Sequence, residues 1–183
     1  GNGNYVLIND QAIANIYEYV APVNGIPQGN FAPVVQLFAP EQLTIFGAKA
    51  NYQPFEKTNI ATEIAASNND LNRFSELDDD NNRGIAAKLG IAQTLFKNKK
   101  NLSLTARTNV DYVQEDFQNV ERVYNIEFNR DWNLNNESGS QLYSTTGLDF
   151  KIDSTFTTSY EFQLLEFSDS YSGNRHRLLG LLS

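Results

Sequence analysis

Hydrophobic and polar residues alternate with a period of two along most of the second half of the chain. Between Leu102 and Tyr112, Leu102, Leu104, Ala106, Thr108, Val110 and Tyr112 fall on one side. Ser103, Thr105, Arg107, Asn109 and Asp111 fall on the other. From Tyr124 to Leu134, Tyr124, Ile126, Phe128 and Trp132 alternate with Asn125, Glu127, Asn129, Asp131 and Asn133, and only Arg130 breaks the pattern from the apolar side. Leu142 to Ile152 sets Leu142, Leu148, Phe150 and Ile152 against Asp149 and Lys151. Phe156, Tyr160, Phe162 and Leu164 then stand against Thr157, Ser159, Glu161 and Gln163. Side chains two apart share a strand face, so each segment predicts a strand with one greasy and one wet side. A helix would scatter the charges of every segment around its circumference.

Earlier segments follow the rule less strictly. Thr58 to Ser67 places Ile60 and Ile64 opposite Asn59 and Glu63. Ile85 to Leu95 sets Ile85, Leu89, Ile91 and Leu95 against Ala86, Lys88, Gly90, Ala92 and Thr94. Leu43 to Tyr52 predicts a strand with Gly47 as a candidate bulge. Asp10 to Tyr19 fits either a short helix, through Ile13, Ile16 and Tyr17, or a pair of strands. Polar turns separate the runs at 97–101, 135–139 and 153–155, while 68–84 is a long polar loop and 114–121 and 168–174 are intermediate. Short links alternating with long ones predict an up-and-down sheet with one ornamented rim.

The expected fold is therefore all-β, with long antiparallel up-and-down strands forming a β-barrel or part of one. A β-sandwich or jelly roll is the alternative. Two regions are expected: 1–56, rich in Gly and Asn, and 57–183, carrying the long strands. Strand length favours the barrel, because transmembrane strands need roughly 9 to 11 residues against about 5 to 6 in ordinary globular sheets. Tyr124 and Trp132, about 26 Å apart on one strand face, would mark the two rims of an apolar band. Thr108, Ser144, Thr146 and Thr158 on the apolar faces, with Arg130, favour the sandwich.

Composition removes several chemistries. A net charge of −8 argues against nucleic-acid binding, which needs clustered Lys and Arg. With no Cys and a single His, there is no thiol catalysis, no cysteine-based metal centre and no mechanism using two imidazoles. No run of apolar residues reaches the roughly 18 to 20 of a membrane-spanning helix. Met is absent even at position 1, which points to a processed or excised product.

A repeat enters at the amino terminus. Gly3-Asn4-Tyr5-Val6-Leu7 returns as Gly29-Asn30-Phe31-Ala32-Pro33-Val34, with Tyr17-Glu18-Tyr19-Val20 between. A second block runs Glu63-Ile64-Ala65-Ala66-Ser67, Asp70-Leu71-Asn72-Arg73-Phe74-Ser75, Asp78-Asp79 and Asn82-Arg83-Gly84-Ile85-Ala86. Together they resemble the G-x-G-x-Y repeats, and the segment before a run of long strands, of large β-rich outer-membrane and cell-surface proteins of Bacteroidota. The resemblance covers about half the chain. It implies β architecture and an outer-membrane or cell-surface location in a Gram-negative bacterium, as part of a larger protein, and brings no catalytic residues.

Individual features yield little chemistry. Asp78, Asp80 and Asn82 have the alternating spacing of a calcium loop, but Arg83 stands where a Gly is needed and no Glu closes the loop. A solvated loop is the preferred reading. His176 lacks a neighbouring carboxylate or second ligand in sequence and reads as a strand-end residue. Asp111, Glu127, Asp149 and Glu161 recur on wet faces with Arg107 and Lys151, which fits solvated cross-strand pairs or a barrel interior better than a hydrolase pair. Lys97, Lys99 and Lys100 read as a hairpin tip. The expected role is a non-enzymatic outer-membrane barrel component without cofactor, part of a larger surface or transport- or secretion-associated protein. Its partners would be outer-membrane lipid and other subunits or the rest of a larger chain. On that reading Ile126, Phe128, Leu148, Phe150 and Phe162 touch lipid, while Asn125, Glu127, Asp149 and Glu161 face a polar lumen. The alternative role is a soluble cell-surface module binding glycan or protein.

Overall fold

A computed structural model describes residues 3–9, 13–33, 38–77, 79–98, 102–152 and 156–182. The chain divides into two compact units, Gly1–Phe38 and Ala39–Ser183. The sequence-based division at 56 left the strand over 42–55 with the amino-terminal region; in the structure it lies in the second unit.

In the first unit, β1 (Tyr5–Asn9) pairs antiparallel with β2 (Ile16–Tyr19). Within the ambiguous 10–19 segment, Ile16–Tyr19 is thus a strand. The two copies of the repeat lie against each other: Gly3 bridges Gly29 and Tyr5 bridges Phe31. Their glycines have a reciprocal reason. A Cβ on Gly3 would sit 2.0 Å from the Phe31 carbonyl oxygen, and one on Gly29 would sit 2.3 Å from that of Tyr5. Only a residue without a side chain permits this approach. Tyr17 and Phe31 pack at 5.1 Å between ring centroids and line a hollow of about 300 Å³ with Tyr5, Ala32 and Pro33.

The second unit is a seven-stranded antiparallel meander. Its strands are β3 (Gln42–Phe55), β4 (Thr58–Asp70), β5 (Arg83–Lys97), β6 (Ser103–Val113), β7 (Gln141–Ile152), β8 (Phe156–Phe167) and β9 (Tyr171–Leu182). Spatial order follows sequence order from β3 to β9, every neighbouring pair is antiparallel, and the sheet is not closed into a barrel. The all-β, up-and-down expectation holds. Gly47 pairs regularly with Ala65, so it is no bulge; the irregularity in β3 falls between Tyr52 and Phe55, beside Pro54, which has no N–H to give the ladder.

The expected strand over 124–134 does not form. Residues 114–140 are instead one long rim loop containing the short helix α1 (Phe128–Trp132), which ends at Asn133 in the left-handed conformation. Tyr124, Phe128 and Trp132 are spaced by four, a spacing that fits a strand face and a helix face alike. Arg130, the exception to the alternation, pairs with Glu127 at 2.6 Å, an i,i+3 contact. The other long connection on this rim is 71–82, while the third, 168–170, is shorter than expected because β9 starts at Tyr171.

Registry assigns the two faces. One row across β3 to β9 reads Lys49, Glu63, Lys88, Asp111, Tyr143, Leu165 and Gly173. The adjacent row on the opposite face reads Ala48, Ile64, Ala87, Tyr112, Leu142, Glu166 and Ser172. The first belongs to a wet face and the second to a greasy one. On the greasy face Phe46, Ile64, Leu89, Leu148 and Leu178 are all exposed. The core of the chain is small and lies on the wet side, where Phe128, Trp132 and Leu165 are buried.

Candidate functional site

The chemistry-bearing residues gather on the wet face. Arg107 on β6 reaches Asp149 at 3.3 Å and Glu161 at 2.8 Å. Its route to Glu161 crosses Gly147, where an added Cβ would meet Arg107 Nε at 3.1 Å and the Tyr160 carbonyl oxygen at 2.9 Å. The glycine is thus the gap that lets the guanidinium span two strands. The network continues sideways, with Gln163 donating to Glu161 and Arg175 donating to Gln163. Nearer the ornamented rim, Lys88 pairs with Asp111 at 3.8 Å. Lys49, Glu63, Lys88 and Asp111 alternate in sign across four neighbouring strands, a pattern that favours antiparallel pairing in register.

The rim loop folds over this face. Tyr124 stacks on Phe128 at 4.1 Å, and Tyr143 on β7 meets Tyr124, Phe128 and Trp132 edge-on at 5.4 to 6.0 Å. Arg175 lies 4.6 Å above the Trp132 ring, and the Tyr171 hydroxyl donates to the Trp132 carbonyl at 2.7 Å. At the loop's start, the Gln118 N–H donates to the buried Ser67 hydroxyl at 3.0 Å. At its end, Ser138 and Ser140 N–H groups donate to Ser170 and Ser168. Beneath the loop is a hollow of about 440 Å³, lined by Val113, Arg122, Tyr124, Phe128 and Gln141. Among the described residues the enclosed Gln141 amide nitrogen has no hydrogen-bond partner, and the enclosed Tyr124 hydroxyl faces the Asp111 carboxylate. Burial, with the negative charge of Asp111, holds the Tyr124 hydroxyl well above the usual phenol range.

Each residue singled out from sequence has a definite place. Asp78 lies outside the described residues. Asp80 is exposed, and Asn82 is buried with its side-chain amide nitrogen donating to Asp79 at 2.8 Å, which fastens the turn. Among the described residues no group of three potential ligands comes together. His176 is not at a strand end: it sits mid-way along β9 on the greasy face, 2.7 Å from the Tyr160 hydroxyl. Of the four carboxylates, Asp111, Asp149 and Glu161 are on the wet face, whereas Glu127 belongs to the rim loop. Asn125, Ile126 and Phe128 are rim-loop residues too, while Leu148, Phe150 and Phe162 do share the greasy face. The expected aromatic girdle therefore fails at both its members, since Tyr124 and Trp132 cover the wet face. Lys97 ends β5; Lys99 and Lys100 lie outside the described residues. Sequence reading missed Arg175 and Tyr143, although the alternation in β9, Arg175 and Arg177 against His176, marks Arg175 as a wet-face residue.

Comparison with protein-family models, with curated proteins and with solved structures returned no match.

Proposed function

We propose that this chain is a non-enzymatic segment of an outer-membrane β-barrel, greasy face to lipid and wet face to the lumen, within a larger surface or transport- or secretion-associated protein. One observation carries the reading: among the described residues of the second unit nothing packs over the greasy face of the seven long strands, where Phe46, Ile64, Leu89, Leu148 and Leu178 are exposed, while ion pairs and the rim loop occupy the other face. Monomeric soluble proteins rarely expose so extended an apolar surface. Strands of 11 to 15 residues suffice to cross a hydrocarbon core when tilted. Among the described residues no helix is long and apolar enough to cross a membrane, so any crossing uses strands. The resemblance to Bacteroidota surface proteins supports the location.

The second reading, a soluble cell-surface module binding glycan or protein, draws on a polar patch amid the greasy face. There the Thr108 and Thr146 hydroxyls bond at 2.9 Å and Thr158 donates to the Leu179 carbonyl. Spin labels at positions 148 and 149 separate the readings. In native membranes the label replacing Leu148 is expected to be relaxed by lipid-soluble oxygen and shielded from a water-soluble nickel reagent, with Asp149 giving the reverse. Shielding of position 148 from both reagents means a protein-packed face and ends the membrane assignment.

A further inference from the structure

We propose that the hollow beneath the rim loop binds an acidic sugar, a hexuronate ring that is free or ends a glycan. The site stands on the wet face alone and goes beyond the barrel reading. Register builds one wall: Val113 ends β6 and pairs with Gln141, the first residue of β7. The rim loop builds the rest. Arg122 and Tyr124 precede α1, Phe128 opens it, and Asn129 follows within it. At about 440 Å³ the space is of the size that small-molecule sites have, roughly 300 Å³ upward. Arg122, Asn125, Ile126 and Asn129 are exposed, so the hollow is reached from the loop side.

The lining selects the ligand. The Gln141 amide nitrogen is enclosed with no acceptor among the described residues, and a donor in that state costs free energy until an acceptor arrives. Arg122 is the charged residue of the lining; no carboxylate joins it there, and it forms no ion pair among the described residues. The Asp111 carboxylate is engaged by Lys88 and faces the Tyr124 hydroxyl. In a chain of net charge −8 this hollow is a place for an anion. A carboxylate serves both donors, and a guanidinium grips it through two parallel bonds. A free amino acid is a poor fit, because its ammonium would meet no acid in the lining. The remaining residues mix amides, on Asn119, Asn125 and Asn129, with apolar Val123, Ile126 and Phe128. Each amide donates and accepts, as sugar hydroxyls do, whereas a fatty chain would strip water from them and replace nothing. The C–H face of a pyranose ring gives the apolar side chains a partner that a bare inorganic anion lacks.

The test titrates galacturonate into the full-length protein in an uncharged, sugar-free polyoxyethylene detergent, followed by calorimetry. Saturable binding is expected, at least about tenfold tighter than for galactose, which has the same ring without the carboxylate. Arg122→Gln, on an exposed side chain, is expected to weaken binding about tenfold or more, while Arg122→Lys keeps part of it. Gln141→Leu removes the enclosed donor and is expected to weaken binding by about tenfold with Trp132 fluorescence unchanged. If Trp132 undocks in that variant, Arg122→Gln decides. Digalacturonate separates the two sources: tighter binding than the monomer means a glycan end, and equal binding a free sugar acid. Galactose or acetate binding as tightly as galacturonate overturns the proposal, and so does an acetylated dipeptide binding more tightly through its free carboxylate. Undiminished affinity in Arg122→Gln overturns it too, as does the absence of heat at about 10 mM galacturonate, well above the Kd of even a weak site.

Discussion

Leu148 and Asp149 are consecutive residues of β7, yet they belong to different environments. The leucine lies on a face that no other described part of the second unit covers; the aspartate lies in an ion-pair network with Arg107. In a soluble sandwich the greasy face would be the packed one, since it has the area to gain from leaving water. Here packing is found on the wet face, and only at the rim where the loop folds back. The buried residues Phe128, Trp132 and Leu165 are few for a sheet of this size. In water the sheet would rest on its backbone ladder, its wet-face pairs and this rim cluster. On the barrel reading proposed above, lipid would be the partner of the other face.

The difference is broken most directly by truncating one aromatic on each face. Phe128→Ala removes a buried ring stacked on Tyr124, and a loss of about 3 to 5 kcal/mol is expected for docking of the rim loop. Trp132 is the chain's single Trp, so its fluorescence reads that docking and is expected to shift to longer wavelength. Phe46→Ala, on a ring 74% exposed, is expected to change stability in detergent-free water by no more than about 0.5 kcal/mol. Equal effects would show that the greasy face is packed after all.

A charge on the greasy face sharpens the same contrast. Leu148→Arg is expected to cost about 2 to 4 kcal/mol in bilayers if the site lies near the midplane. In water, where position 148 is open to solvent, the same substitution is expected to cost little. Denaturant unfolding of the reconstituted protein, compared with the protein in solution, measures the two values. A large cost in water would place a protein partner over β7.

A smaller effect lies within the wet face. Gly147→Ala inserts a methyl group against Arg107 and the Tyr160 carbonyl, an overpacking expected to cost about 1 to 3 kcal/mol. The change should break the Arg107–Glu161 contact and spare Lys88–Asp111, which lies elsewhere on the face. A double-mutant cycle between Gly147→Ala and Glu161→Gln reads the coupling. Additivity would mean that Arg107 reaches Glu161 by another route.

Alternation made the two faces legible before any coordinates. Ile60 and Ile64 separate from Asn59 and Glu63 as expected, and so do Leu148 and Phe150 from Asp149 and Lys151. Strand ends moved by a few residues, but the faces did not, because a shift of one residue would turn a whole strand over. The rim loop was illegible for a definite reason. Aromatic residues at 124, 128 and 132 satisfy both periods, and nothing in a single sequence says which face they cover. Arg130 carried the warning. The network of Arg107, Gln163 and Arg175 was only half readable: alternation placed Arg107 and Gln163 on wet faces, Arg175 was missed, and the contact between them depends on register and on the gap at Gly147.

The smallest expected effect concerns the far anchor of the rim loop. Ser138 and Ser140 tie it to Ser170 and Ser168 in the β8–β9 turn, and Glu137 immediately precedes these ties at the surface. A hydrogen bond from Ser170, together with the Asn135 N–H, holds the Glu137 carboxyl below its ordinary range. A carboxylate whose pKa falls on folding contributes stability above its unfolded value, and that contribution disappears as pH falls through the folded one. The loop anchor should therefore loosen only in acid, below the ordinary glutamate range, and stay unchanged through neutral pH. Solvent screening at so exposed a site keeps the effect slight. Amide exchange at Ser138, followed down the pH scale after correction for intrinsic rates, is the measurement. Glu137→Gln should leave the aromatic cluster around Trp132 docked and abolish the acid dependence at Ser138. If the dependence survives that substitution, another acid group controls the anchor. If Trp132 undocks with it, the loop end and the aromatic cluster form one cooperative unit instead of two.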